Sequence, residues 1–248
     1  MTKNIRSKWS NLLPKERLIV ALDVPTAVEA LRFVRDLEDL VAFFKVGTEL
    51  LLSGEAGGLL NRLLEGGHKV FVDLKMQGDI PETVRRTVEV ASRMGVTFLT
   101  LSYLATRGTI QTAARARSNR GLPEILCVSF LSSLDQSDFT EQTGRPGGEF
   151  EAYLEERTSL AMASGADGFI VSGREIGLLR QRFPQATLVS PGIRQSGAAT
   201  DDHKRSCTPS EAIGLGADYI VVGRPIRDAR DRRDAAERII GEIATAAP

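Results

Sequence analysis

Three charged residues crowd the end of one apolar run. Val70-Phe71-Val72 leads into Asp73-Leu74-Lys75, and Asp79 follows just ahead of Pro81. On an extended strand Asp73 and Lys75 are two apart and share a face. Pro81 sits where a helix would begin. A carboxylate and an ammonium therefore project together from the carboxyl end of a strand, with a second carboxylate in the loop beyond. A core strand has no structural need for this, because burying charge is costly. The residue types and spacing suit a charged site, not a packed interior.

Other polar residues fall at equivalent places. Asp23 closes the first apolar run, Lys45 the second and Ser102 the fourth, while Ser132 follows the fifth and Arg194 the seventh. Two lysines and three acids at successive strand ends can form an alternating network in which each charge is offset by its neighbours. The eighth run, Tyr219–Val222, is followed by Gly223-Arg224. A glycine lets backbone N–H groups approach an oxyanion, and an arginine adds a bidentate donor. With Arg194 from the adjacent run, this reads as an anion site.

The elements that must position these groups alternate along the chain. Strands are expected at 18–24, 42–47, 68–75, 96–102, 125–131, 168–172, 186–191 and 219–222. Helices are expected at 26–38, 58–65, 81–94, 108–118, 151–163, 174–182, 209–215 and 227–246. The strands are continuous apolar runs, as in parallel sheets covered on both faces. Eight βα units in about 250 residues is the size of a (β/α)8 TIM barrel, with active sites at the carboxyl ends of the strands. A doubly wound open sheet is disfavoured, since no glycine-rich dinucleotide fingerprint follows the first strand. Residues 1–16, with Trp9, Leu12 and Leu13, read as a short N-terminal lead-in helix over one end of the barrel. The polar segment 133–150 reads as containing a mobile loop. No linker divides residues 1–248, which read as a single (β/α)8 barrel domain.

Composition narrows the class. Of 248 residues 42% are hydrophobic and 26% charged, and the formal net charge is zero. Bulk electrostatics thus supports neither a nucleic-acid nor a membrane-surface role. No window approaches a membrane span and no apolar signal segment opens the chain, so a cytoplasmic location is expected. Cys127 reads as a core residue and Cys207 as an incidental thiol, with no metal-ligand spacing. His68, which precedes a strand, reads as structural or solvated.

These residues carry a resemblance. Ala21-Leu22-Asp23-Val24-Pro25, Phe44-Lys45-Val46-Gly47, Asp73-Leu74-Lys75 with Asp79-Ile80-Pro81-Glu82-Thr83, Pro191-Gly192-Ile193-Arg194 with Asp202-His203-Lys204-Arg205, and Ala217–Ile226 occur in the order found in orotidine 5′-phosphate decarboxylases. The chain resembles that family over nearly its whole length. The resemblance implies a cofactor-independent carboxy-lyase, without a metal, that converts orotidine 5′-monophosphate to uridine 5′-monophosphate in pyrimidine biosynthesis. It implies that Lys45, Asp73, Lys75 and Asp79 form the charged catalytic network. Asp23 and Lys45 would hold the ribose hydroxyls and Ser132 the pyrimidine edge. Arg194, Gly223, Arg224 and His203 would hold the phosphate. It also implies a homodimer with shared sites, Asp79 and Thr83 reaching into the partner's cavity.

Three departures mark this chain. Met76-Gln77-Gly78 is one residue longer than the family's spacing between lysine and loop acid, and a bulge at Gly78 would absorb it. Ser102 stands where a histidine is common, and His203 where a glutamine is common, with Gln195 a second possible donor. Two other readings are a magnesium-dependent sugar-phosphate lyase of the same barrel superfamily and a non-catalytic nucleotide-binding barrel. A lysine at position 45, where those lyases place an acid, disfavours the metal.

Overall fold

The computed structural model describes residues 11–77, 80–173, 175–194 and 206–246. Eight parallel strands close in sequence order into a barrel: β1 (Leu18–Ala21), β2 (Phe43–Val46), β3 (Lys69–Met76), β4 (Phe98–Leu101), β5 (Glu124–Val128), β6 (Gly168–Ile170), β7 (Thr187–Ser190) and β8 (Tyr219–Val222). Closure pairs β1 with β8, placing Leu18 opposite Ile220. Around them lie α1 (Ala27–Leu37), α2 (Thr48–Leu52), α3 (Ala56–Glu65), α4 (Pro81–Met94), α5 (Arg107–Arg115), α6 (Gln136–Thr143), α7 (Phe150–Ala163), α8 (Glu175–Arg182), α9 (Pro209–Gly214), α10 (Arg224–Arg227) and α11 (Arg232–Ala246).

Alternation along each strand explains the apolar runs. On β1, Leu18 and Val20 pack outward into the cluster shared with the helices, while Ile19 and Ala21 face the barrel interior. The interior is floored by interlocking rings. Phe43 lies 5.0 Å from Phe98 and 5.6 Å from Tyr219, and Phe98 lies 5.3 Å from Tyr219. Such tilted and edge-on contacts suit the ring quadrupoles. Two residues further along the same strands, the inward positions become Lys45 on β2, Asp73 on β3 and Thr100 on β4. The floor therefore separates the polar end of the barrel from its amino-terminal end.

Local signals account for most boundaries. Helix α4 has Pro81 in its first turn and ends at Gly95 in the left-handed region, φ 85°, as proline and glycine preferences dictate. The expected helix 227–246 is instead two, because Asp231 caps a new one: its Oδ1 accepts from the backbone N–H groups of Arg233 and Asp234. Helix α2 is an addition, inserted between β2 and α3. At the amino end, residues 1–10 and Trp9 lie outside the described residues. The lead-in is seen as a 3-10 turn, Pro14–Arg17, with Leu12 packed on the barrel-interior cluster.

The segment 133–150, read from its polarity as containing a mobile loop, carries regular structure. It forms α6 and a 3-10 turn, Gly147–Glu149. Asp135 caps α6 reciprocally with Asp138, and Gly144 ends it at φ 69°. Beneath it Phe130, Phe139, Phe150 and Tyr153 form a separate buried cluster. Phe139 lies 5.4 Å from Phe150 and 5.3 Å from Tyr153. This anchor fixes the segment that follows Ser132. Phe139→Ala is expected to weaken it by about 3 kcal/mol, speeding amide exchange in α6 roughly a hundredfold. Unchanged exchange there would show that the rings do not hold α6 down.

Candidate active site

Strand β3 does not present Asp73 and Lys75 as a regular strand would. Its register against β4 runs from Val72↔Leu99 to Met76↔Leu101, so four steps on β3 span two on β4. The excess is taken up as a bulge at Asp73–Lys75, and Lys75 adopts φ 50°, a left-handed conformation unusual for a residue with a Cβ. This bulge precedes the extra residue in Met76-Gln77-Gly78, and the bulge expected to absorb that residue falls at Gly78. Gly78 and Asp79 lie outside the described residues. Both the Asp73 and Lys75 side chains still line the same cavity.

Four charges form one chain across β1, β2 and β3. The Lys75 ammonium donates to Asp73 Oδ2 at 2.7 Å, and Lys45 Nζ lies 3.6 Å from the same oxygen. Lys45 Nζ donates to Asp23 Oδ1 at 2.9 Å. Signs alternate from Asp23 through Lys45 and Asp73 to Lys75. Lys45 and Asp73 are buried, whereas the Lys75 side chain is 44% exposed at the cavity. Gly47 leaves room for the first pair: a Cβ there would sit 3.2 Å from Asp23 Oδ1 and 3.3 Å from Lys45 Nζ.

Asp73 has a third contact. The Thr100 hydroxyl donates to Asp73 Oδ1 at 2.9 Å and accepts the Lys75 backbone N–H at 2.9 Å. Burial pushes the Asp73 carboxyl up. The charges of Lys45 and Lys75, with hydrogen bonds from Lys75 and Thr100, outweigh burial and hold it below the usual carboxylate range. A buried carboxylate stays ionised here because two cations flank it.

The cavity holds about 520 Å³ and joins this network to a cationic end. Arg194 follows β7, and Gly223, Arg224 and Arg227 follow β8; all four line it. Arg194 is buried, its Nη1 donating to the Ile193 carbonyl at 2.8 Å. Arg227 is gripped by Asp228 and donates to the Asp23 carbonyl at 3.1 Å, tying α10 to the loop after β1. Apolar side chains line it as well, among them Val128, Ile170 and Val221, with Ser132 from the segment after β5. The space suits a molecule that carries an anionic group for the arginines and places another part beside Lys75.

Of the residues singled out from sequence, Asp23, Lys45, Asp73, Lys75, Ser132, Arg194, Gly223 and Arg224 come together in this cavity. Thr83 does not line it; it is exposed on the first turn of α4. Asp79, Gln195 and His203 lie outside the described residues. Ser102 is buried away from this cavity, its hydroxyl accepting from the Leu104 N–H at 3.2 Å. Cys127 is a core residue whose thiol burial pushes up to about 12. His68 packs edge-on against Phe44 at 5.1 Å. Two contributors were missed, Thr100 and Arg227. Strict alternation from Phe98 would have placed Thr100 inward; nothing in the sequence distinguishes Arg227 from its arginine-rich surroundings.

Comparison with known proteins agrees with the geometry. The model of the orotidine 5′-phosphate decarboxylase / HUMPS family matches residues 16–239. An orotidine 5′-phosphate decarboxylase from Rhodopseudomonas palustris (strain BisB5) is 44% identical over 94% of this chain and 96% of that protein. One from Methylococcus capsulatus is 44% identical over 92% of each. The crystal structure of orotidine 5′-phosphate decarboxylase from Lactobacillus acidophilus superposes with a TM-score of 0.76 at 32% identity, covering 92% of this chain and 99% of that one.

The linkage at Asp73 gives a stability test. A carboxyl held below its unfolded value contributes stability that is complete above that value, near 3.9, and is lost as pH falls through the lower folded value. Asp73→Asn is therefore expected to be less stable than the native chain in urea at pH 7. The gap should narrow below about pH 4. A gap that stays constant with pH would show that the ionised carboxylate is not what the lysines stabilise.

Proposed function

The chain belongs to the orotidine 5′-phosphate decarboxylase / HUMPS family, and from that premise we propose that it decarboxylates orotidine 5′-monophosphate to uridine 5′-monophosphate in pyrimidine biosynthesis. The observation that carries this reading is the Asp23–Lys45–Asp73–Lys75 chain facing an arginine-lined end within one cavity. Arg194, Gly223 and Arg224 hold the phosphate. Asp23 and Lys45 hold the ribose hydroxyls, and Ser132 contacts the pyrimidine edge.

The chemistry follows from charge movement. The bond from C6 to the carboxylate breaks, carbon dioxide leaves, and the electron pair remains on C6. The ring cannot delocalise that pair conventionally, so it must be stabilised by the site. The Lys75 ammonium lies where negative charge develops and transfers a proton from Nζ to C6. Asp73, ionised beside the substrate carboxylate, disfavours the bound ground state. The phosphate is remote from C6, so its binding energy can hold the reacting end in place. The magnesium-dependent reading needs an acid where Lys45 stands. Instead, the Lys45 ammonium bridges Asp23 and Asp73, and its charge opposes a divalent ion there.

The same reading makes the protein a cytoplasmic homodimer. Leu52, Ile80 and Leu104 are exposed on the connections that follow β2, β3 and β4. Apolar side chains on three successive connections at the active-site end support a partner there. Thr83 is exposed and does not line its own cavity, which supports its assignment to a partner's site. Asp79 is assigned the same direction. Among the described residues no helix is long and apolar enough to cross a membrane.

An absorbance assay with orotidine 5′-monophosphate tests the activity. Turnover should persist in a chelator, and loss on chelation would favour the magnesium-dependent reading. A folded chain without turnover would favour the non-catalytic one. Lys75→Ala should lower kcat by about 10⁴-fold or more while retaining uridine 5′-monophosphate binding; a near-normal rate would remove Lys75 from its role. For the shared site, Lys75→Ala and Asp79→Ala subunits are mixed after verified subunit exchange. Heterodimers should regain activity, and failure to do so would place Asp79 within its own subunit's site.

A further inference from the structure

Thr100 is fully buried on β4, and its single hydroxyl meets both functional parts of the β3 bulge. The proton bookkeeping there has one solution. The Lys75 backbone N–H can only donate and the Asp73 carboxylate can only accept. The Thr100 oxygen therefore takes the amide proton, and its own O–H points to Asp73 Oδ1. That occupies one carboxylate oxygen and leaves Oδ2 to Lys75 Nζ at 2.7 Å and Lys45 Nζ at 3.6 Å. The same hydroxyl holds the amide of a residue whose backbone, at φ 50°, is costly for any side chain with a Cβ. Strained conformations persist where surrounding contacts over-determine them. Here the contact comes from the neighbouring strand.

We propose that Thr100 is a positioning residue for the decarboxylation: its hydroxyl locks the β3 bulge so that Asp73 and Lys75 face the reacting carbon as a preset pair. The inference rests on the function proposed above. Thr100 touches neither the substrate nor the transferred proton; it acts through its two partners. If the bulge relaxes toward regular strand, Lys75 still shares a face with Asp73, but its backbone moves along the strand and the 2.7 Å contact is no longer preset. Among the described residues the charged groups facing Asp73 are Lys45 from β2 and Lys75 from β3, with Asp23 of the loop after β1 behind Lys45. Thr100 is the uncharged donor from β4. Its contribution helps to hold the Asp73 carboxyl down, so its removal raises that group.

The test compares Thr100→Ser, which keeps the hydroxyl, with Thr100→Val, which keeps the shape. Thr100→Ser should retain kcat within about threefold, whereas Thr100→Val should lose roughly a hundredfold in kcat with KM little changed. The acid limb of the kcat profile should move to higher pH in Thr100→Val only. A second readout needs no turnover: Lys75 should react faster with an amine-directed reagent in Thr100→Val, by mass spectrometry with Lys15 as reference. Thr100→Ala replaces the valine variant if that does not fold. Equal kcat in the native chain and Thr100→Val, or equal losses in the serine and valine variants, would overturn the proposal. If the native chain does not act on orotidine 5′-monophosphate, the functional reading fails by itself. The labelling then decides the positioning: unchanged Lys75 reactivity in Thr100→Val overturns it and increased reactivity supports it.

Discussion

Asp73 can stay ionised inside the barrel only because cations lie on both sides of it. Burial alone would favour its neutral form, and the two lysines reverse that preference. The rest of the site follows from this requirement. Lys45 is itself buried and needs an acid beyond Asp73, which Asp23 supplies at 2.9 Å. The sequence of signs must then be carried by three adjacent strands. A barrel whose neighbours in space are neighbours in sequence provides that arrangement. Removing any inner member leaves a buried charge without its counterpart, a more serious loss than the small net worth of an exposed ion pair.

The aromatic floor and the charged layer depend on one another. Phe43 and Lys45, Phe71 and Asp73, and Phe98 and Thr100 are each two apart on one strand, so the period that buries the rings also delivers the polar groups. The rings exclude water from below, which strengthens the interactions above them. On the outer face the intervening residues Phe44, Val72 and Leu99 pack with the helices. Helix packing thus fixes the strand register, and the register fixes which charges meet. At β3 the regular period is interrupted, and the turn at Lys75 sets how its ammonium approaches Asp73.

These relations explain what could be read from the chain and what could not. The barrel was legible because each strand is a continuous apolar run and most helices carry their own stop and start signals, such as Pro81 and Gly95. The charges were legible because Asp23, Lys45, Asp73 and Lys75 end such runs. The bulge at Asp73–Lys75 was not legible, because a bulge is a relation between two strands and its partner, Thr100, lies 25 residues from Lys75. Order in 133–150 was hidden for a similar reason. Phe139 finds Phe130, Phe150 and Tyr153 only after β5 and α7 have been placed, and no helical or strand period links the four. Arg227 gains meaning only from the Asp23 carbonyl, which the closing of β8 on β1 brings near.

A short contact between opposite charges does more in the proposed reaction than hold the fold. Before bond cleavage the substrate's negative charge resides on its carboxylate, beside Asp73. Afterwards carbon dioxide is neutral and the charge resides at C6, beside the Lys75 ammonium. The site therefore disfavours the starting distribution and favours the final one without itself changing shape. That difference is useful only if the carboxylate and ammonium are fixed before the substrate arrives, since reorganising them during the reaction would cost what the field supplies. Lys75 has a flexible side chain, and 44% of it is exposed. Its fixity must come from its backbone and from Asp73. The left-handed turn at Lys75, the 2.7 Å contact to Asp73 Oδ2 and the Thr100 hydroxyl behind both provide it. In the proposed reaction the energy needed to bring a second carboxylate up to Asp73 comes from the far end of the cavity, where Arg194 and Arg224 are assigned the phosphate. Distance between the two ends is thus part of the mechanism: attraction at one end is exchanged for repulsion at the other.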